Sequence, residues 1–442
     1  MGRRGKSIPR GTIRSMRGNH NMPSASTQSL VGRYFPALGR RNFRLFWFGQ
    51  IVSLIGTWMQ NIGQDWLVLQ LTGSSAKLAA VSAMQFLPMM LFSVFAGPFI
   101  DRFPKRRTII LTQSVLAVLA LVLALIVWTH VAQYWMILVL AFLLGMVTLV
   151  DNPTRQAYVI ELAGRDVLMN AVSLNSAAFN TARTFGPAVG GLLIELLGIA
   201  PCFFLNSLSF LAVIGALLMI DTPNRVGASP VGSLREVVAS VGEGLSHVRK
   251  RREILIPLLL MSVLSTFVIN YNVFVPSFAK ISLGQTATGY GFLMTSLGIG
   301  SLIAALTQAA RSKGGPSQLR IWFSAAGMSA AILLCGLQRS YILSALLFGL
   351  AGFFTITLST SMNTTIQLAS ADDYRGRVMS LWSWVLGGVT PIGSLWAGSV
   401  SEISSPGTSM AISGGIGIVF TGAMFFVMRK RRRSGEAATV SS

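Results

Sequence analysis

Gly97-Pro98-Phe99-Ile100-Asp101-Arg102-Phe103-Pro104-Lys105-Arg106-Arg107 joins two apolar runs, 78–100 and 108–129. Each run is close to the ~20 residues that a helix needs to cross a bilayer, where the backbone must satisfy its own hydrogen bonds. The stretch therefore reads as a short, strongly basic turn between two membrane spans. Working outward from it finds ten further apolar runs, at 43–70, 134–156, 168–196, 200–220, 254–280, 286–310, 319–338, 341–368, 378–402 and 407–428. Of the 36 Lys and Arg residues, 32 fall before the first run, after the last, in the even-numbered gaps where Arg102–Arg107 also stand, or, as Arg44, Arg155 and Arg320 do, within the margin of a run beside them. The other gaps hold only Lys77 and Arg339, with Lys280 at the edge of one, and Arg183 lies deep inside a run. Basic loops stay cytosolic, so the pattern predicts an all-α protein of twelve membrane helices with both termini in the cytosol.

Composition agrees. Only 11% of the chain is charged and 52% is hydrophobic, against roughly 25% charged in a soluble domain. A multi-pass membrane protein, surrounded by lipid, is expected. The net charge of +22 is scattered among the runs rather than gathered on one basic face with base-reading or stacking groups, which excludes nucleic acid as a partner. Cys202 and Cys335 fall in different spans without metal or redox spacing, so no metal is expected. His20, His130 and His247 lie in tails or loops without catalytic partners, and Gly5-Lys6-Ser7 lacks the upstream glycine of a phosphate-binding loop. Enzyme chemistry, a cofactor and a nucleotide engine are thereby excluded. An ion gradient or a solute gradient is left as the energy source.

Residues 1–42 carry nine basic residues and no acid and read as a disordered cytosolic tail. The same Arg- and Ser-rich composition also resembles an organellar transit peptide, with Met16 and Met22 as alternative starts. Residues 43–220 and 254–428 form two six-helix bundles, and 429–442 is a second basic cytosolic tail. The linker 221–253 holds Leu234, Val237, Val238, Val241, Leu245 and Val248 at helical spacing, the pattern of an amphipathic helix on the membrane surface. An internal repeat supports the division. Sliding the chain by 207 residues lays Val172-Ser173-Leu174-Asn175-Ser176 on Met379-Ser380-Leu381-Trp382-Ser383, Gly186 on Gly393, Gly191 on Gly398 and Gly145 on Gly352.

The opening stretch, read as G-x-x-x-D-R-x-x-K-R-R, resembles the loop signature of the major facilitator superfamily, with Pro104 where a Gly is usual. The resemblance covers residues 43–428. It implies two rocking bundles around a central pathway. It also implies a latch in which Gly97, Asp101, Arg102, Lys105, Arg106 and Arg107 engage the eleventh span near Arg377, while Asp151 pairs with the loop arginines. A carboxylate at that helix start would meet unpaired N–H groups and the positive end of the dipole. In the fifth span Gly186-Pro187-Ala188-Val189-Gly190-Gly191 resembles the bundle-interface signature of members that export by exchange, with Ala182 in place of a Gly. Asp151-Asn152-Pro153-Thr154-Arg155, Arg183-Thr184-Phe185-Gly186-Pro187 and Arg375-Gly376-Arg377 together resemble the bacterial branch that contains the enterobactin exporter. The family's fourth-span arginine falls here at Ala141, which leaves Arg183 as the one cation deep in a span.

A buried charge is expensive and defaults to a functional role. Gln60, Asn61, Gln64 and Asp65 form a polar stripe in the first span, and the 207-residue offset sets Gln64 and Asp65 against Tyr271 and Asn272, beside Asn270. With Trp382 these residues and Arg183 are the expected pathway, and Asp65 and Arg183 the coupling pair. Proton-coupled export of a small amphiphilic organic molecule by a monomer is the leading reading. An importer or uniporter is the alternative within transport, and a non-transporting scaffold or assembly factor is the alternative outside it.

Overall fold

The computed structural model describes Gly2 and residues 35–100, 103–220, 234–310 and 317–440, and among these every regular element is helical. Before the linker lie α1 (Arg41–Thr72), α2 (Ser75–Ile100), α3 (Lys105–Trp128), α4 (Tyr134–Ala163), α5 (Leu168–Leu197) and α6 (Ala200–Leu218). The linker contributes α7 (Leu234–Lys250). Then follow α8 (Arg252–Phe267), α9 (Tyr271–Ser277), α10 (Ala287–Ala310), α11 (Gln318–Leu337), α12 (Tyr341–Ala369), α13 (Asp372–Ser383), α14 (Thr390–Ile403) and α15 (Pro406–Val440).

Among the described residues ten helical segments are long and apolar enough to cross a membrane. α1 and α5, with 32 and 30 residues, have the length. Their apolar content is diluted by Gln50, Gln60, Asn61, Gln64 and Asp65 in one and by Asn170, Asn175, Asn180 and Arg183 in the other.

Two of the expected runs are not single straight helices. The seventh breaks between α8 and α9, because the Asn270 amide donates to the Thr266 carbonyl at 2.8 Å and so competes with the helix ladder. It ends in a π turn, Phe278–Ser282. The eleventh begins six residues early, at Asp372, and passes through a second π turn, Trp384–Gly388, before Pro391 restarts it as α14. Each π turn inserts a residue into the ladder and re-aims the side chains after it.

The packing inside the first set repeats in the second. α1 packs on α5 and α6 as α8 packs on α14 and α15; α2 and α3 pack on α4 as α10 and α11 pack on α12. The halves meet along two equivalent seams, α5 against α10 and α2 against α14. We call the ends of the helices on the side of α7 and the chain termini the terminal ends, and the opposite ends distal.

A short turn precedes the first long helix. Residues 3–34 lie outside the described residues, but Pro36–Gly39 forms a tight turn whose Ala37 is fully buried and donates its N–H to Asn170 Oδ1 at 3.1 Å. Arg40 pairs with Asp166 in the turn between α4 and α5, and holds that exposed carboxyl below the usual carboxylate range. A carboxyl with a depressed folded value adds stability above its unfolded value and loses it as pH falls through the folded one. Asp166→Asn is therefore expected to lower the thermal midpoint slightly at neutral pH and to leave it unchanged in strong acid; surface pairs contribute little. At the other end the helical backbone of α15 continues to Val440, so the expected tail 429–442 is largely an extension of the last helix.

α7 is clasped to α13. Glu243 accepts from Arg377 Nη1 at 2.7 Å, and the His247 and Tyr374 rings stack 4.2 Å apart at an 11° angle. The linker helix therefore belongs mechanically to the second half.

Candidate functional site

The polar side chains that α1 carries do not all face one way. Gln60 turns into its own half, where Asn206 Nδ2 donates to its Oε1 at 2.7 Å. Gln64 points to Gln85 at 3.5 Å, the limit of a hydrogen bond. Asn61 is partly exposed. Asp65 reaches across to the second half, where the buried Tyr290 hydroxyl of α10 donates to its Oδ2 at 2.7 Å.

This bond sits in a layered cluster at the distal end. The Trp66 ring lies nearly parallel to the Tyr290 ring, with centroids 6.3 Å apart, and Lys280 Nζ stands 4.9 Å from the Trp66 centroid. Ring and ammonium attract through the ring quadrupole, more strongly where water is excluded. Carboxylate, phenol, indole and ammonium thus form a stack between α1 and the α9–α10 hairpin. Beside it Thr286 donates to Glu195 at 3.0 Å and Thr288 to the Gly191 carbonyl at 3.1 Å, both across the halves.

Small residues let the seams close. A side-chain carbon at Gly191 would stand 2.6 Å from the Ala287 carbonyl oxygen, and one at Gly298 would stand 2.7 Å from Thr184 Cα. The interface motif is divided: Gly191 and the Pro187 carbonyl meet α10, while Gly186 and Gly190 press on Trp58 and Met59 of α1, inside the first half. On the second seam Ser82 and Ser394 hydrogen-bond at 3.2 Å, the Ala76 N–H donates to Glu402 at 3.3 Å, and Trp384 Nε1 donates to the Met90 carbonyl at 3.2 Å.

Midway along the first seam Arg183 Nη2 donates to Ser301 Oγ at 2.5 Å. Ser301 is anchored by the Leu297 and Gly352 carbonyls at 2.9 and 3.3 Å. Tyr271, bonded through its hydroxyl to Thr355 at 2.7 Å, lies within electrostatic reach of the guanidinium. Asn270 is buried at the α8–α9 break with its Oδ1 unpartnered among the described residues, Asn272 is partly exposed, and Trp382 is buried inside the second half. A distal cavity of about 670 Å³ is walled by both halves, including Trp66, Glu195 and Thr286. A second cavity of about 720 Å³, walled by Leu260, Ile321 and Trp322 near the terminal ends, lies wholly in the second half and off the path between the seams.

In the loop 2–3 motif, Asp101 and Arg102 lie outside the described residues, and of Gly97 only the helical backbone is described. Lys105 pairs with Glu161 of α4, Arg106 donates to the Leu217 and Leu218 carbonyls at 2.8 and 3.3 Å, and Arg107 is exposed. Asp151 is fully buried. Its described partners are Arg155 on its own helix at 2.7 Å, Thr112 at 2.5 Å and Gln113 at 3.0 Å. The Asp151–Arg155 spacing of four residues signals such a pair. Tyr290 and Ser301 gave no such signal, being one apolar-ring hydroxyl and one serine among many. Lys280 did stand out, as one of the few cations on the side that is poor in them.

The comparisons agree with this geometry. A family model described as transmembrane secretion effector matches residues 33–442. The chain is 23% identical over 390 residues to a staphyloferrin A transporter of Staphylococcus aureus, covering 88% of this chain and 96% of that protein. It is 25% identical over 366 residues to the multidrug efflux pump Tap of Mycolicibacterium fortuitum, covering 81% and 88%. A bacterial homologue of the human lysosomal transporter Spinster, solved inward-facing and unoccupied, has the same fold, with a TM-score of 0.67 at 10% identity over 87% of this chain and 96% of that one. The protein is thus an integral, multi-pass membrane transporter and not an enzyme, and it belongs to the transmembrane secretion effector family of major facilitator transporters.

Proposed function

We propose that the chain exports small amphiphilic organic molecules from the bacterial cytoplasm across the inner membrane in exchange for protons, by alternating access and as a monomer. On this reading α1 and α5 also span, making twelve helices in two bundles, 43–220 and 254–428, with both termini cytosolic. The solute and proton gradients supply the energy without a cofactor. The distal ends are then the outer face, held shut by the Asp65–Tyr290 bond and the glycine seams. The loop signature with Asp101 and Arg102 acts as the latch of the opposite, outward-facing state.

The Asp65–Tyr290 bond carries the proposal. An ionised carboxylate accepts strongly from the phenol, and a protonated one accepts weakly. Proton arrival at Asp65 therefore loosens the outer closure, as an exchanger requires. Support for direction comes from the multidrug efflux pump among the relatives.

The test is efflux of a dye panel from energised cells with and without the protein, each with and without an uncoupler. Uncoupler-sensitive efflux is expected in the wild type. Asp65→Asn is expected to lower that component about tenfold, the scale of one lost charge-assisted hydrogen bond, while leaving downhill counterflow near normal. Accumulation instead of efflux would favour the importer, and no movement of any compound would favour the scaffold.

A further inference from the structure

Among the described residues, the mid-depth section of the pathway holds a cation and no acid. Arg183 presents five N–H donors, and its one described hydrogen bond goes to a neutral hydroxyl, Ser301. That hydroxyl has a single hydrogen, committed to the Leu297 or Gly352 carbonyl, so Ser301 offers Arg183 only a lone pair. Tyr271 lies within electrostatic reach of Arg183. It stands opposite Thr355, whose hydroxyl donates to the Ala351 carbonyl at 2.7 Å, which leaves the Tyr271 hydroxyl donating to Thr355 and its oxygen free to accept.

The chain has 14 acidic residues. Asp65 is held by Tyr290 and Glu195 by Thr286 at the distal end, and Glu402 by the Ala76 N–H. Asp151, Glu161, Asp166, Glu243 and Asp372 are each paired with a cation near the terminal ends. Glu253 and Asp373 are exposed there; Glu236 belongs to the first turn of α7 and Glu436 to the end of α15, and Asp101 and Asp221 lie outside the described residues. Among the described residues no acid is placed to neutralise Arg183.

An uncompensated charge inside a span is retained at a cost, and a planar guanidinium matches a carboxylate in a two-point contact that a hydroxyl cannot supply. We propose that Arg183 is the docking point for a carboxylate of the transported solute, and that Ser301 holds the guanidinium in place until the solute arrives. This rests on the transporter reading above and adds the substrate class: amphiphilic molecules bearing a carboxylate. It also gives Arg183 a part in the cycle, because a bound carboxylate takes the guanidinium from Ser301 and so releases one tie of the α5–α10 seam.

The test uses the full chain, purified in lipid nanodiscs, with two probes that differ in a single charge: 4-(1-pyrenyl)butyrate and its methyl ester. Binding is read by energy transfer from tryptophan to pyrene, less the signal of empty nanodiscs. The acid is expected to bind about ten- to a hundredfold tighter than the ester, the worth of a hydrogen-bonded charge contact. Arg183→Ala and Arg183→Gln are expected to erase that preference and leave the ester within about twofold of its wild-type affinity. Ser301→Ala, which removes only the competitor, is expected to keep or sharpen the preference; this variant tests the proposal even if the Arg183 variants fold poorly. Equal binding of acid and ester to the wild type overturns the carboxylate dock and leaves the transport reading standing. A preference that survives Arg183→Gln, or that Ser301→Ala abolishes, overturns it too. Binding of neither probe overturns both.

Discussion

Gly191→Val is expected to leave a folded protein that cannot close its distal end, with transport lowered by about one to two orders of magnitude. Even the first added carbon would stand 2.6 Å from the Ala287 carbonyl oxygen and 3.0 Å from Thr288 Cα. Both are backbone atoms and cannot swing aside. The helices must separate, and overpacking of this kind typically costs about 1–3 kcal/mol, which shifts a two-state equilibrium roughly 5- to 150-fold. The strain exists only while α5 and α10 touch, so it acts on the closed distal end and spares the fold within each half. A cysteine placed at Thr286 reports the state: its labelling from outside should rise in the Gly191→Val background. Gly422→Ala, where nothing lies within 4 Å, should leave both transport and labelling unchanged. Unchanged labelling with Gly191→Val would mean that the α5–α10 seam does not open during the cycle.

The largest stability effect is expected at Asp151. Its fully buried carboxylate accepts from Arg155 Nε, Thr112 and Gln113 together. Asp151→Ala removes the acceptor of all three hydrogen bonds and strands a buried guanidinium whose Nη1 is already unsatisfied among the described residues. Breaking a buried pair from one side costs about 3–5 kcal/mol, whereas replacing both partners by apolar groups is often close to neutral. Asp151→Ala should therefore lower the detergent midpoint sharply, and Asp151→Ala with Arg155→Met should regain most of the loss. If the loop arginines were the partners that matter, the second substitution would not rescue. That contrast bears directly on the latch expected from the loop signature.

The helical architecture and the repeat were legible because their causes are periodic. Apolar runs of membrane length, a charge alternation covering 32 of 36 cations and a constant offset of 207 residues each average over many positions. The breaks at Asn270 and Trp384–Gly388 were not legible, since one amide and one inserted residue leave no trace in a hydropathy pattern. The site was half legible. Asp65 and Arg183 announce themselves as charges in apolar surroundings, yet their partners Tyr290 and Ser301 are ordinary span residues whose importance comes only from what stands opposite. Gln60 shows the converse: its place on the polar stripe suggested the pathway, but Asn206 satisfies it inside its own half. Sequence spacing gives a residue's face on a helix. Which neighbour occupies that face is a property of the tertiary packing.

The polarity of α1 and α5 has a consequence for how the chain is made. A charged residue at the centre of a span carries an insertion penalty of about 2.5–3.5 kcal/mol, and less towards its ends, so if α1 and α5 span as proposed, α5 with Arg183, and to a smaller degree α1 with Asp65, leave the translocon poorly on their own. Their neighbours in space, α6 for α1 and α10 for α5, emerge later from the ribosome. Biogenesis would then have to be cooperative: α1 is held near the insertion machinery until α6 arrives, and the first half settles fully into lipid only after α10 of the second has been synthesised. A ribosome stalled before residue 287 would leave a nascent chain whose fifth helix is still extractable by alkali.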